Sequence, residues 1–487
     1  MRHDEVHREL LCFAKARVVA ESLSLASEDA VLDVGGLMAL VVCHTSDWHL
    51  GRTLHGASFD RAHASFLRWL VDTIVARSVD VLLVAGDVFD RSVPSAQAEE
   101  LFYGFLADVR SRSAKTKVVV IAGNHDGPTR LAAPSPVLVR MGVRVFGSLP
   151  DLRTMSGQEG AVDRLEERLV RIESGADKLV IAALPFLRPS DLSQVALDEG
   201  STADDTFEER TRVVYAHAAK LALKDGPVAL IAMGHAHARG ARLSPDSERT
   251  LAFGDAAQLG AEVFPIEAQY VALGHLHFAQ AVAPASGRNI RYSGSPLPLA
   301  FSEHGYPHQV ALVHVEETTV RGIETVLIPP FIDLVRIDDE GRALPLDRAL
   351  EALRERARSE ASKSETRETW VQVRVRVEGA RPALRKELAD ALVAAPHLKL
   401  VHVDVTRTFV GNQDAEGLLE GRGFTDVLAP HAVLTRAWRA LSEEPVPEGV
   451  VRALDAAWAE AVREDEAESA SRERAESLEV TQPEGAS

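Results

Sequence analysis

The sequence predicts an α/β fold with its chemistry gathered at the ends of strands. Three observations carry that expectation. Short apolar, β-branched runs at 39–43, 81–85, 118–122, 228–233 and 270–273 read as buried strands, four of them closed by a glycine. Each is followed within a few residues by Asp, Asn or His, the position at which α/β sheets present their ligand sites. Stretches with helical apolar spacing separate the early runs.

Taken in order, residues 1–37 precede the first strand and read as an N-terminal extension, with Met38 as the expected true start. Residues 38–322 form the main domain. Within it, 59–76 predicts a helix with Phe59, Ala62, His63, Phe66, Leu67, Leu70 and Ile74 on one face. A second helix covers 95–110 behind Pro94, and Leu101, Phe102, Phe105 and Leu106 serve either a homodimer interface or the core. From 323 to 408 a helix at 346–359, a strand at 370–377, a helix at 383–393 and a strand at 399–405 predict a small α+β domain. Residues 409–425 read as a linker. Residues 427–441 and 448–462 read as two amphipathic helices split by Pro445 and Pro447, and so short a pair buries little alone. The element at 426–465 is therefore expected to dock on something else, through Leu434, Trp438, Leu454 and Trp458. Residues 466–487 lack apolar periodicity and are expected to be a disordered acidic tail.

The strand ends carry Asp47-Trp48-His49, Gly86-Asp87, Gly123-Asn124-His125-Asp126, Gly234-His235 and Gly274-His275-Leu276-His277. Carboxylate, amide and imidazole donors together suit Mn, Fe or Zn better than Ca or Mg. Two ions held ~3.5–4 Å apart need a bridging ligand. Asp87 is the natural bridge, and a shared water would be the nucleophile on phosphorus. One isolated Gly-His pair would be an ordinary turn or a core histidine; five such segments in this order are not.

This order resembles the calcineurin-like metallophosphoesterase superfamily. The segments His44 to Gly51, Gly86 to Asp90, Gly123 to Asp126, Ala272 to His277 and Arg291-Tyr292-Ser293-Gly294-Ser295-Pro296 narrow the likeness to the SbcD-type nuclease subunits of the bacterial SbcCD exonucleases. The likeness runs from Met38 to the mid-460s. It implies a β-sandwich flanked by helices, followed by a capping domain at 323–408 that helps position DNA, and a helical element that binds the root of an SbcC-like SMC-type ATPase. It further implies a homodimer within a heterotetramer, and a 3′–5′ exonuclease and endonuclease acting on double-stranded ends and hairpins in the cytoplasm, on the nucleoid. Carried over, Asp47, His49, Asp87 and His277 would hold one ion and Asp87, Asn124, His235 and His275 the other, both most naturally Mn2+. His125 would bind no metal and would protonate the leaving oxygen, a role that suits its near-neutral pKa. Asp90 would either accept a hydrogen bond from His125 and fix its tautomer or cap its own turn. His237 would be a loop residue. Arg91 follows Asp90 as in Ser/Thr phosphatases, but Ser92 and Asp126 stand where those enzymes carry Gly and Glu. A small-molecule phosphatase is disfavoured by the extra domains, and a dead scaffold by intact ligands at every motif.

Composition sets the remaining bounds. The chain has 487 residues, 46% of them hydrophobic, enough for more than one domain. Two cysteines, Cys12 and Cys43, give no disulfide framework, and Cys43 reads as a buried thiol on the first strand. Eighteen consecutive apolar residues occur nowhere, so no membrane span is expected, and acidic residues interrupt any leader-like core near the N-terminus. A net charge of −18 argues against a generally basic nucleic-acid binder. Phosphate contacts would then fall to metals and to arginines near the motifs, of which Arg52, Arg91, Arg130 and Arg291 are candidates. No phosphate-binding Gly-x-x-x-x-Gly-Lys-Ser/Thr loop is present, so ATP use would belong to a partner. His3, His7, His55, His63 and His217 have no ligand context and are expected on the surface or on helices.

Overall fold

Alternation along each strand decides the architecture. In a strand, successive side chains point to opposite faces. In the computed structural model, strand β1 (Leu40–Thr45) sends Leu40 and Val42 to one core and Cys43 to another. Strand β4 (Val81–Ala85) splits its five buried residues the same way, Val81, Leu83 and Ala85 against Leu82 and Val84. Strands buried on both faces read as continuous apolar runs, which is why the sequence shows them so clearly. The structure describes residues 39–150, 164–192, 206–244, 258–283, 286–361, 367–379 and 381–408, with two short pieces at 446–447 and 449–452.

Two six-stranded sheets result. The first contains β1, β4, β5 (Lys117–Ile121), β6 (Val143–Phe146), β13 (Gln309–Glu316) and β14 (Thr319–Leu327), in the order β14-β13-β1-β4-β5-β6. The second contains β7 (Leu169–Ser174), β8 (Asp177–Ala183), β9 (Ala229–His235), β10 (Tyr270–Gly274), β11 (Gln280–Val282) and β12 (Ile290–Tyr292), in the order β11-β12-β10-β9-β8-β7. The inner strands of each sheet run parallel and the outer ones antiparallel. Leu83, Ile121, Ile181, Ile231 and Ala272, drawn from both sheets, share one core between them. A small hairpin of β2 (Thr53–Leu54) and β3 (Ala57–Ser58) follows β1.

Helices cover the outer faces. Helix α1 (Asp60–Ala76) buries Ala62, His63, Phe66, Leu67, Leu70 and Ile74, the face read from the sequence. Helix α2 (Ala96–Arg112) starts at Ser95, whose hydroxyl accepts from Ala98 N, the N-cap bond that satisfies an otherwise orphaned donor. Of the residues weighed for a dimer interface, Phe102, Phe105 and Leu106 are buried in the core, where Trp48 meets Phe102 and Phe105 edge-on; Leu101 is half-buried. Helix α3 (Phe207–Leu223) covers the second sheet and begins in a capping box between Thr206 and Glu209. The α/β sandwich flanked by helices is thus present.

The chain divides into two compact units. The first runs on to Arg336, within β15 (Asp333–Ile337), and adds 363–372 and 397–402. The boundary expected at 322 is therefore corrected, because it would cut β14, whose residues to Leu327 pair with β13 in the first sheet. The second unit contains β16 (Leu344–Pro345), α4 (Leu346–Ala361), α5 (Leu384–Asp390) and the distal residues of β17 (Thr369–Glu378) and β18 (Leu398–Thr408). Leu344 pairs in parallel with Val375 there, so the strand–helix alternation is present. Among the described residues no helix is long and apolar enough to cross a membrane. Residues 1–37, the linker, the helical pair with Leu434, Trp438, Leu454 and Trp458, and the acidic tail lie outside the described residues.

Candidate metal centre

All five motifs converge at the C-terminal ends of β1, β4, β5, β9 and β10. Backbone geometry shows why glycines precede the polar residues. A Cβ on Gly123 would collide with the Asp87 carboxylate, one on Gly86 with the His235 ring, and one on Gly274 with Ala85 O. Asp47, His49, Asp87 and His275 themselves take positive φ, at 54°, 47°, 49° and 109°. Non-glycine residues pay for that conformation, and such strain gathers where function demands a fixed side-chain direction.

Asp87 is the hub. Its Oδ2 lies 3.5 Å from His49 Nε2 and 3.5 Å from His235 Nε2, while its Oδ1 accepts from His125 N at 2.9 Å. His277 Nε2 approaches His49 Nε2 at 3.2 Å. Asn124 Oδ1 sits 3.0 Å from His235 Nε2 and 2.9 Å from His275 Nδ1. Asp47 Oδ1 accepts from His275 N at 2.9 Å. Donor atoms of Asp47, His49 and His277 lie within 4.8 Å of one another, as do those of Asp47, Asp87 and His235. The seven sequence-predicted ligands are therefore brought together, six of them at most 7% exposed and Asn124 half-buried.

Three imidazoles have their tautomers set from behind. His235 Nδ1 is 2.9 Å from Ala85 O, His277 Nδ1 is 2.7 Å from Glu303 Oε1, and His49 Nδ1 is 3.5 Å from Asp90 Oδ1. Each arrangement leaves Nε2 for the interior of the site, the usual outer support of a metal-binding histidine. Electrostatics favour a cation there. Burial works against a charged His235 ring, yet the field of Asp87, aided by Asp47, pushes its pKa up to about 9. Burial resists ionisation of Asp87 too, but His235 and His49 hold its carboxyl well below the usual range. Burial draws His49 down to about 4, leaving its ring neutral and able to donate a lone pair. Nitrogen and oxygen donors, buried negative charge and two imidazole nitrogens facing each other fit a pair of divalent ions.

His125 differs from the ligands. It is half-buried, and its Nδ1 lies 2.9 Å from the backbone O of Asp90. The expected contact with the Asp90 carboxylate is therefore corrected. That carboxylate instead accepts from Arg52 Nη1 at 3.0 Å and backs His49. Arg52 Nε also donates to Leu299 O, so this arginine braces the site from within and is withdrawn as a candidate phosphate contact. Arg130 pairs with Glu99. Arg91 is exposed and Arg291 half-buried. His237 is half-buried, its ring centroid 6.2 Å from that of His275. His63 is buried on α1 against Phe59, His217 is half-buried on α3, and exposed His55 stacks on His402.

Several supports escaped the sequence reading. Glu303 is fully buried and holds both His277 and Leu299 N. Its only signal was a carboxylate just after the apolar stretch 297–301. Ser293 meets Ser46, which donates to Asp47 Oδ2 at 2.5 Å. Tyr292 OH donates to Ala236 O and accepts from Ala238 N, fixing the loop after His235. The segment from Arg291 to Pro296 is therefore scaffolding for the motifs around it. Asp126 accepts from Gly123, Val88 and Phe89 N and so ties two motif loops together.

A histidine- and carboxylate-lined cluster over a double-sheet core is the signature of a metal-dependent phosphoesterase, and the family model for calcineurin-like phosphoesterases matches residues 40–278. The chain is 35% identical over 370 residues to the SbcD subunit of the SbcCD nuclease from Rhodobacter capsulatus, covering 75% of this chain and 87% of that relative. The protein of the same name from Bacillus subtilis is 35% identical over 275 residues, 56% of this chain and 65% of its own. The one from Escherichia coli K12 is 33% identical over 293 residues, 59% and 68%. The chain belongs to the SbcD-type nuclease subunits, a family of metal-dependent phosphodiesterases.

Proposed function

We propose that this chain cuts DNA at double-stranded ends and hairpins, as a 3′–5′ exonuclease and endonuclease, with two Mn2+ ions and an SbcC-like SMC-type ATPase as partner. The observation that carries the reading is the position of Asp87 Oδ2, 3.5 Å from imidazoles that serve different metal subsites. Asp47, His49, Asp87 and His277 would hold one ion; Asp87, Asn124, His235 and His275 the other. Bound there, the ions supply Lewis-acid polarisation of a phosphate and activation of water. His125 keeps its proton on Nδ1, directed at Asp90 O, and presents Nε2 to protonate the leaving oxygen. Its partial exposure lets substrate reach it, whereas the histidine and aspartate ligands are buried. Asp90 acts through His49 and Arg52, as a positioning residue. Arg91 and Arg291 are the remaining candidates for DNA phosphates.

The names of the relatives support an ATPase partner, since each is one component of an SbcCD nuclease. We assign the docking to residues 426–465, the α+β unit to DNA positioning, and the whole to a homodimer within a heterotetramer on the cytoplasmic nucleoid, in repair, recombination and replication. The decisive assay offers blunt and hairpin DNA with manganese, with and without the ATPase. Cleavage that requires metal and gains ATP dependence with the partner is expected. Hydrolysis of phosphomonoesters but not of DNA would overturn the reading.

A further inference from the structure

A cavity of about 620 Å³ opens beside the metal centre, and Asn124 and His235 form part of its wall. Interior voids in a well-packed protein rarely exceed a water molecule, so a space of this size is a binding site in form. Its other walls are apolar and aromatic, with Pro185, Phe186, Phe207 and Leu259 among them. The hydroxyls of Thr211 and Tyr215 line it too, but they donate to Phe207 O and Met233 O within the fold. Two polar groups stand at its ends. The Arg188 guanidinium lies over the Phe186 ring at 5.8 Å, and half-buried His237 sits between the cavity and His275.

We propose that this cavity is a subsite for one unstacked nucleobase of the strand whose phosphate lies over Asn124 and His235. Three features favour a base over other ligands. The volume accommodates a nucleoside. Aromatic side chains and an arginine plane are the surfaces on which unpaired bases stack, without sequence preference. The cavity also shares residues with the metal centre, so a base inside it would sit one nucleotide from the scissile phosphate. His237, which the motif pattern left as a loop residue, then has a place at the polar edge of the base. The assignment rests on the phosphodiesterase reading of the adjoining centre and extends it from a phosphate to a nucleotide.

The test compares two ligands that differ only in the base. Equilibrium binding of 2′-deoxyadenosine 5′-monophosphate and of 2-deoxyribose 5-phosphate is measured on the manganese-loaded full-length chain. Stacking on aromatics is worth enough for the nucleotide to bind roughly tenfold tighter. Phe186→Ala and Phe207→Ala, each checked for an unchanged fold by circular dichroism, should both shrink that ratio toward one. Equal affinities in the wild type, or a ratio that survives both substitutions, would overturn the subsite. Hydrolysis of bis-p-nitrophenyl phosphate is followed separately. Its absence alongside an intact base preference would sink the phosphodiesterase reading and leave the subsite standing.

Discussion

His277 Nδ1 and Glu303 Oε1 lie 2.7 Å apart, with neither side chain more than 3% exposed. The other carboxylate oxygen of Glu303 is taken by Leu299 N at 2.7 Å, so the acid is clamped and in turn clamps the ring. A carboxylate behind a metal-binding histidine fixes its orientation and raises its basicity.

Glu303→Ala is therefore expected to weaken manganese binding by roughly 10–100-fold, measured by calorimetric titration of the metal-free protein. Glu303→Gln, which still accepts a hydrogen bond, should recover much of the loss. Unchanged affinity in the alanine variant would deny Glu303 any part in positioning His277.

His125→Leu should lower phosphodiester hydrolysis by about 10²–10⁴-fold, the usual worth of a positioned acid. Metal content, measured by plasma mass spectrometry, should remain that of the wild type. Loss of both ions together with activity would make His125 a ligand instead.

Cys43 should resist alkylation in the native protein. It is fully buried, and burial pushes its thiol up to about 12. The reactive thiolate is scarce below that value, so at pH 8 labelling must wait for unfolding. On a Cys12→Ser background, iodoacetamide uptake should track the unfolding transition; fast labelling of the folded chain would contradict the packing of β1.

Truncation after Gly423 should preserve metal-dependent hydrolysis of bis-p-nitrophenyl phosphate and abolish co-purification with the ATPase. Trp438 and Trp458 are the expected anchors, each worth roughly 2 kcal/mol or more. Full-strength pull-down by the truncated chain would remove the docking role from residues 426–465.

The strands and the ligand set were legible because physics forces both to be local. Strands covered on both faces must be apolar throughout, and the glycines at 86, 123 and 274 must be glycines because backbone and ligand side chains pass too close for a Cβ. The supports were less legible because they come from far along the chain. Ser46 and Ser293 are 247 residues apart, as are Arg52 and Leu299, and no local pattern announces such a contact. Arg52 looked like a phosphate contact because its charge is visible in the sequence and its partner, the Asp90 carboxylate, is not. Asp90 was placed beside His125 correctly, but with the wrong atom: the backbone carbonyl makes the bond.

The bridging role of Asp87 is tested most directly by counting metal ions. Manganese per chain is measured by plasma mass spectrometry after loading and desalting, in the wild type and in Asp87→Ala. Two ions per wild-type chain and fewer than one in the variant are expected, because Asp87 Oδ2 faces both subsites. Two ions retained in Asp87→Ala, or a single ion in the wild type, would contradict a centre bridged by this carboxylate.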